Sequence, residues 1–382
     1  MHPLSRPPAL LSAALLLAAV ASAATATAQD GQQSSAALPF LIGGYGGGLF
    51  AAEFDPKSGK ILGEPQMRLE LERASFFVQH PTRDDRWYSV SELDREGFSV
   101  VAIEADPQLK ELKLLNAQGT EGNGPCYVTT DAKGQFVFVA NYGDGSLTML
   151  PIAGNGSLEP ASDHIQHTGS GPDPKRQKAP HAHCVMVDPS DRWLLCADLG
   201  IDRVMVYRID RDAKKLEEHS RLEMPPGSGP RHMAFHPSLP VLYVINEMGS
   251  SIAVAAWSAD DGTGEVKGVV STLPEEMERS TTAEILVHPS GKFVFGSNRG
   301  HDSIVSYRVD QQDGTLELVG WCPSGGKTPR NFRIDPTGQY ILAENQDSDT
   351  IVVLKIDTDS GNLTPTGETA SVPKPACIKF AR

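Results

Sequence analysis

One local pattern returns six times along this chain. A short apolar run ends in His or Asp, usually followed by Pro, and a turn comes next. A run rich in β-branched and aromatic residues follows and ends near Asn, Asp or Glu. The anchors are His80, Asp131, Asp188, His236, His288 and Asp335, spaced 47 to 57 residues apart with a mean of 51. Around His236 the unit reads as four strands: Arg231 to Phe235, Val241 to Ile245, Ile252 to Trp257 and Val266 to Val270. The turns between them carry Pro, Gly, Asp and Ser, the residues that tight turns require. Helical periodicity is scarce. Four short strands every ~50 residues define the blade of a β-propeller.

The termini complete a ring. Pro375 to Phe380 matches the first strand of a unit and has nothing after it. Phe40 to Tyr45 matches a second strand, and Glu53-Phe54-Asp55 and Met67 to Leu71 supply the third and fourth. Six whole units plus one shared between the ends give an all-β, seven-bladed propeller over 38–382. The N- and C-terminal strands pair in one blade, which removes the open sheet edges.

The first 28 residues read as a secretory leader. Arg6 is the only charged residue, Ala9 to Ala21 is apolar apart from Ser12, and small-x-small sites end at Ala23 and Ala28. Cleavage is expected after one of these, with 29–37 a disordered linker and the mature protein periplasmic or secreted. No later stretch is apolar enough for a membrane helix. The formal charge of −14 argues against nucleic acid as a partner. Five cysteines (Cys126, Cys184, Cys196, Cys322, Cys377) are too few for a disulfide framework and read as small buried hydrophobes. Cys184 and Cys196 are the one pair that a hairpin could bring together.

Strands one and two of a blade form an antiparallel hairpin, so the start of the first and the end of the second share one end of the ring. Strand one is innermost. Five residues before each anchor stand Ser75, Cys126, His183, Arg231, Ala283 and Arg330. Ten or eleven after it stand Tyr142, Asn246 and Glu247, Asn298 and Arg299, among others. One channel mouth therefore gathers His183, Arg231, Glu247, Arg299 and Arg330. That set describes an anion-binding site with acid–base capacity. The alternative is a ring of charges that pair with one another at a solvated mouth.

The irregular segment from Thr168 to Pro180 carries Lys175, Arg176 and Lys178 and leads into His181-Ala182-His183 on the same rim. A loop of this length over a site commonly binds or covers a ligand. The spacing of His181 and His183 permits a metal pair, but no third ligand has a fixed place and the cations oppose one. No metal or other cofactor is expected. Cys126 as a nucleophile lacks a helix N-terminus to lower its pKa.

The ordered motifs Gly124-Pro125-Cys126, Ala140-Asn141-Tyr142, Pro174 to Gln177, Ala179 to His183, Gly229 to His232, Asn246-Glu247, Ser297 to Ser303 and Thr328-Pro329-Arg330 carry a resemblance. Over roughly 38–381 the chain resembles the lactonase family of seven-bladed propellers. That family includes propeller-type 6-phosphogluconolactonases and carboxymuconate lactonizing enzymes. The resemblance implies a hydrolase that opens a sugar-type lactone, with His183, Arg231, Glu247 and Arg299 catalytic. Arg330, Arg176, His181 and Asn298 are added as substrate-binding candidates. Export would favour an unphosphorylated aldonolactone or a lactone bearing a carboxylate. The expected partner is this small molecule, and the expected state is a monomer. The rival readings are a lactonizing cycloisomerase and a secreted binding propeller without chemistry.

Overall fold

The computed structural model describes residues 37–92, 100–275, 277 and 279–382. The expected leader, and the linker apart from Ala37, lie outside the described residues. Seven four-stranded antiparallel sheets follow one another around a ring. The innermost strands of neighbouring blades pack against each other, and the last meets the first. Among the described residues the only helical element is a 3-10 turn at Gln346–Ser348.

Blade one is built from both ends of the chain. Its inner strand is Pro375–Phe380, followed outward by Leu38–Gly44, Gly48–Asp55 and Lys60–Glu70. Blade five runs Pro230–Phe235, Val241–Asn246, Ser251–Ser258 and Thr263–Ser271. The strands of blade five match the expected ones to within three residues, whereas the outer two of blade one begin five and seven residues earlier than expected. The core lies between blades, where the faces of adjacent sheets interlock. Phe136, Phe138 and Met149 of blade three pack with Leu194, Met205 and Tyr207 of blade four. Phe293 and Phe295 of blade six pack with Phe332 and Ile341 of blade seven.

The repeating anchors have a structural cause. In blade five, His236 Nδ1 accepts the backbone N–H of Ser238 and Leu239, so the proton sits on Nε2. That Nε2–H donates to the Gly291 carbonyl of blade six at 2.8 Å. His288 reaches Gly338 of blade seven in the same way. Each such bond contributes about 1 kcal/mol and ties one blade to the next. The receiving Gly291 has φ +73°, and a Cβ there would stand 2.8 Å from the His236 ring, so glycine is required. Where the anchor is Asp, as at Asp131, Asp188 and Asp335, its carboxylate instead accepts backbone N–H groups of its own turn.

Six of the seven inner strands open with a β-bulge, that of blade two (Phe77–Gln79) being the exception, and this places the site. Cys126, His183, Arg231 and Arg330 are each skipped by the ladder to the neighbouring strand, as is Ala376 in blade one. In blade six both Ala283 and Glu284 fall within such an interruption. A bulge re-aims side chains. Here it lets consecutive residues such as Arg231 and His232 both serve the channel.

The bulge at His183 also separates Cys184 from Cys196. Cys184 pairs with Ala197 and Val185 with Cys196, so the two thiols point to opposite faces of the sheet. Cys184 packs towards blade five and Cys196 towards blade three, and all five cysteines are free and buried.

Candidate active site

A cavity of about 470 Å³ occupies one mouth of the channel and is lined by Arg73, Glu92, Cys126, Tyr142, Arg176, His183, Glu247, Arg299 and Arg330, with Gly124 and Gly143. Five of the eight candidates therefore border one space: His183, Glu247, Arg299, Arg330 and Arg176. Arg231 lies directly behind Glu247. His181 and Asn298 do not line the cavity.

Glu247, the first residue after the second strand of blade five, is the hub. Its Oε2 meets Arg231 Nε at 3.1 Å and Arg299 Nη2 at 2.9 Å, and its Oε1 meets Arg176 Nη2 at 2.8 Å. Burial alone would raise the pKa of this carboxyl. Arg299, Arg231 and Arg176 outweigh it and hold the group down at about 2. Arg231 is almost fully buried and also donates through Nη1 to the Ala283 carbonyl at 2.7 Å. Burial, Arg299 and Arg330 lower its pKa to about 10, which still leaves it charged at neutral pH. Arg299 Nη2 donates as well to the Thr282 carbonyl at 2.7 Å, while its buried Nε has no hydrogen-bond partner among the described residues.

His183 is 5% exposed, and its buried Nδ1 has no hydrogen-bond partner among the described residues. Burial, followed by the Arg231 guanidinium, pushes its pKa well below the usual histidine range. The ring is neutral at neutral pH. It packs edge-on against Tyr142 and His232. Arg330 lies over the Tyr45 ring, 5.2 Å from its centre, and makes no carboxylate ion pair among the described residues. Cys126 donates its thiol hydrogen to the His183 carbonyl at 3.3 Å, and burial raises its pKa well above the ordinary thiol value. It is a protonated thiol, ill suited to nucleophilic attack.

The long loop from Thr168 to Pro180 is pinned by Gln177. That buried amide donates to the Leu199 carbonyl and to Asp202 Oδ1 at 2.8 and 2.7 Å. Asp173 caps the turn by accepting the Lys175 and Arg176 backbone N–H groups. Arg176 is thereby held over the mouth, where it also donates to the Tyr142 hydroxyl at 3.1 Å.

His181 stacks on the Tyr142 ring, with centroids 4.7 Å apart, and its Nδ1 bonds the Tyr142 carbonyl at 2.8 Å. It supports a wall rather than forming one. Asn298 is fully buried, and its amide donates to the Thr272 carbonyl and to Ser303. Among the described residues no group of three or more His, Cys, Asp or Glu side chains is arranged to hold a metal ion.

Sequence reasoning did not single out Glu92, Tyr45 or Arg73. Glu92 follows the second strand of blade two. Tyr88-Ser89-Val90-Ser91-Glu92 aligns with Tyr243-Val244-Ile245-Asn246-Glu247. The turn after His80 is one residue longer than that after His236, so counting from the anchor stops short of Glu92. Aligning the strands themselves would have found it.

Fold and site together define a closed propeller whose mouth holds a guanidinium-rich cavity with an imidazole and two carboxylates on its lining. The family model described as "Lactonase, 7-bladed beta-propeller" matches residues 39–380, and the chain belongs to that family. It is an enzyme of the lactonase class, similar to 6-phosphogluconolactonases. The 6-phosphogluconolactonase of Bacillus subtilis (strain 168) is 34% identical over 334 residues, covering 87% of this chain and 94% of that protein. One from Formosa agariphila is 32% identical, covering 76% of this chain and 82% of that protein. The solved structure of the Pseudomonas aeruginosa periplasmic gluconolactonase superposes with a TM-score of 0.85 at 27% identity, covering 91% of this chain and 99% of that one.

Proposed function

We propose that the chain hydrolyses an unphosphorylated aldonolactone at this mouth, without a metal, after export from the cytoplasm. The observation that carries the reading is a set of unspent polar groups around one cavity. Among the described residues His183 Nδ1 and Arg299 Nε have no hydrogen-bond partner, and Arg330 makes no carboxylate ion pair. Such groups are costly to bury unless a ligand satisfies them. The leader-like N-terminus supports export, and the periplasmic gluconolactonase among the relatives supports an unphosphorylated substrate.

In this reading the lactone carbonyl faces Arg299 and Arg330, whose fixed charges stabilise the oxyanion formed when water adds. An oxyanion donor of this kind is worth ~10²–10³-fold in rate. Neutral His183 holds the attacking water through Nδ1. Glu247 is too acidic to accept a proton at neutral pH. It sets the positions of Arg176, Arg231 and Arg299 and balances part of their charge. A site so rich in fixed cations disfavours a divalent metal, which agrees with a metal-free reaction.

The test is a proton-release screen of the purified mature protein over phosphorylated and unphosphorylated lactones, with and without chelator. Glucono-δ-lactone opening should exceed the spontaneous rate and ignore the chelator. Absence of turnover on every lactone would defeat the proposal.

A further inference from the structure

Two carboxylates border the cavity, in opposite environments. Glu247 of blade five is held by three guanidiniums. Glu92 belongs to blade two, three blades away around the ring. It forms no ion pair among the described residues, and its side-chain partners are hydroxyls. Tyr45 Oη lies 3.0 Å from both Glu92 oxygens, and Ser75 Oγ donates to one of them. Arg73 donates to the Glu92 backbone carbonyl at 3.2 Å, not to the carboxylate. Burial raises the Tyr45 phenol to about 12, so it stays protonated and acts as a donor.

The surroundings complete the picture. Cys126 of blade three stands between the two sides: its thiol bonds the His183 carbonyl, and it feels the Glu92 charge. Besides Arg73, Arg330, lying over Tyr45, is a nearby cation and interacts electrostatically with Glu92. Glu92 and His183 thus flank the same blade at the same mouth. A pair of acids placed in contrasting environments is the arrangement that divides labour between an electrostatic role and a proton-transfer role.

We propose that Glu92, oriented by Tyr45 and Ser75, is the catalytic general base of the lactone-opening reaction, a role that rests on the hydrolytic reading above. Glu92 takes one proton from the attacking water as its oxygen bonds to the lactone carbonyl carbon. The ring C–O bond then breaks, and the departing ring oxygen takes that proton back from the Glu92 carboxyl. One water is consumed and one hydroxy acid is formed, which ionises to its carboxylate. The hydroxyl pair keeps the carboxylate aimed without neutralising it, as a guanidinium would.

The test compares wild type with Glu92→Gln and Glu92→Ala on glucono-δ-lactone at pH 6.5–7.5, after subtraction of spontaneous opening. Circular dichroism and thermal melting verify the fold. Glu92→Gln should lower kcat by ~10²-fold or more with little change in KM. Added formate should restore part of the rate to Glu92→Ala, because a small carboxylate can occupy the vacated space; a merely structural loss would not respond. If wild type is active and Glu92→Gln stays within threefold of it, Glu92 is not the base. If Glu92→Ala is folded, slow and indifferent to formate, the carboxylate holds Tyr45 and Ser75 together, and the proposal is likewise overturned. Inactive wild type on every lactone would instead remove the hydrolytic reading on which the role depends.

Discussion

Arg176 and Glu247 lie 71 residues apart in the chain and meet at 2.8 Å across the channel mouth. The contact joins the long loop before blade four to the end of a strand in blade five. The Arg176 side chain remains 42% exposed, whereas that of Glu247 is 7% exposed. The loop is fixed independently by Gln177, so Arg176 latches an already shaped loop over the site. Half-exposed ion pairs are worth little energy. Arg176→Ala should therefore raise KM roughly two- to fivefold and leave kcat nearly unchanged. A fall in kcat larger than the rise in KM, measured by steady-state kinetics, would show that Arg176 acts in the transition state instead.

Glu247→Gln keeps the shape of the hub and removes its charge. Arg231 and Arg299, with side chains 3% and 14% exposed, then lose their counter-ion. Leaving buried charges unpaired costs on the order of 3 kcal/mol. The variant should melt at lower temperature and lose kcat/KM together. The same hub predicts an acid limb of stability. The Glu247 pKa is depressed from 4.5 to about 2, so its contribution is complete above pH 4.5 and disappears as pH falls towards 2. Acid titration of wild type against Glu247→Gln, followed by circular dichroism, reads this difference. Parallel acid curves would contradict it.

The blades were legible in the sequence because the anchors do one repeated job. Each His or Asp must satisfy the backbone of a turn, and the His anchors also reach a glycine in the next blade, which holds their spacing. The mouth was legible because hairpin geometry sends strand starts and strand ends to one side. What the sequence does not display is the bulge that turns His183 and Arg231 inward. Nor does it show which polar residues are already occupied. Asn298 stood at the right register, yet its amide is used on Thr272 and Ser303. Asn141 and Asn246 likewise bond Ser146 and Ser251 within their own blades. Asparagine at this position stabilises the blade. Glu92 escaped for the converse reason, since one extra turn residue shifted it out of count.

His183→Ala should reduce kcat by ~10²–10³-fold, the scale of losing one hydrogen-bonding partner of the reacting atoms. Because burial and the surrounding cations keep the ring neutral until well below its usual range, His183 should contribute no inflection near pH 6.5 to the wild-type pH–rate profile. An inflection at that pH that vanishes in a folded His183→Asn variant would show that the imidazole titrates there after all.

The five thiols are buried and free, and burial raises the pKa of Cys126, Cys184, Cys196, Cys322 and Cys377. Native protein prepared without reductant should react slowly with a thiol reagent and release five equivalents on unfolding. Recovery of only three would indicate a disulfide that the geometry of Cys184 and Cys196 does not allow within a single chain.

Beneath the mouth, His232 sets a second pH dependence. Its Nδ1 meets Glu284 Oε1 at 2.9 Å, and its Nε2 lies 3.2 Å from Arg231 Nη1. The rings of Phe76, Tyr127 and His183 enclose it. Burial depresses its pKa from 6.5 to about 4, with the Arg231 and Arg330 charges adding to the effect and Glu284 opposing it. The folded state therefore resists a proton that the unfolded chain accepts. Stability from this group is full above pH 6.5 and is lost as pH falls towards 4, with a ceiling of about 3 kcal/mol. His232→Gln should flatten the stability-against-pH curve across that window in urea titrations at successive pH values. The slope that remains should belong to His183 and His80, whose pKa values burial displaces in the same direction. An unchanged slope in the folded variant would mean that Glu284 keeps His232 protonated in the native protein.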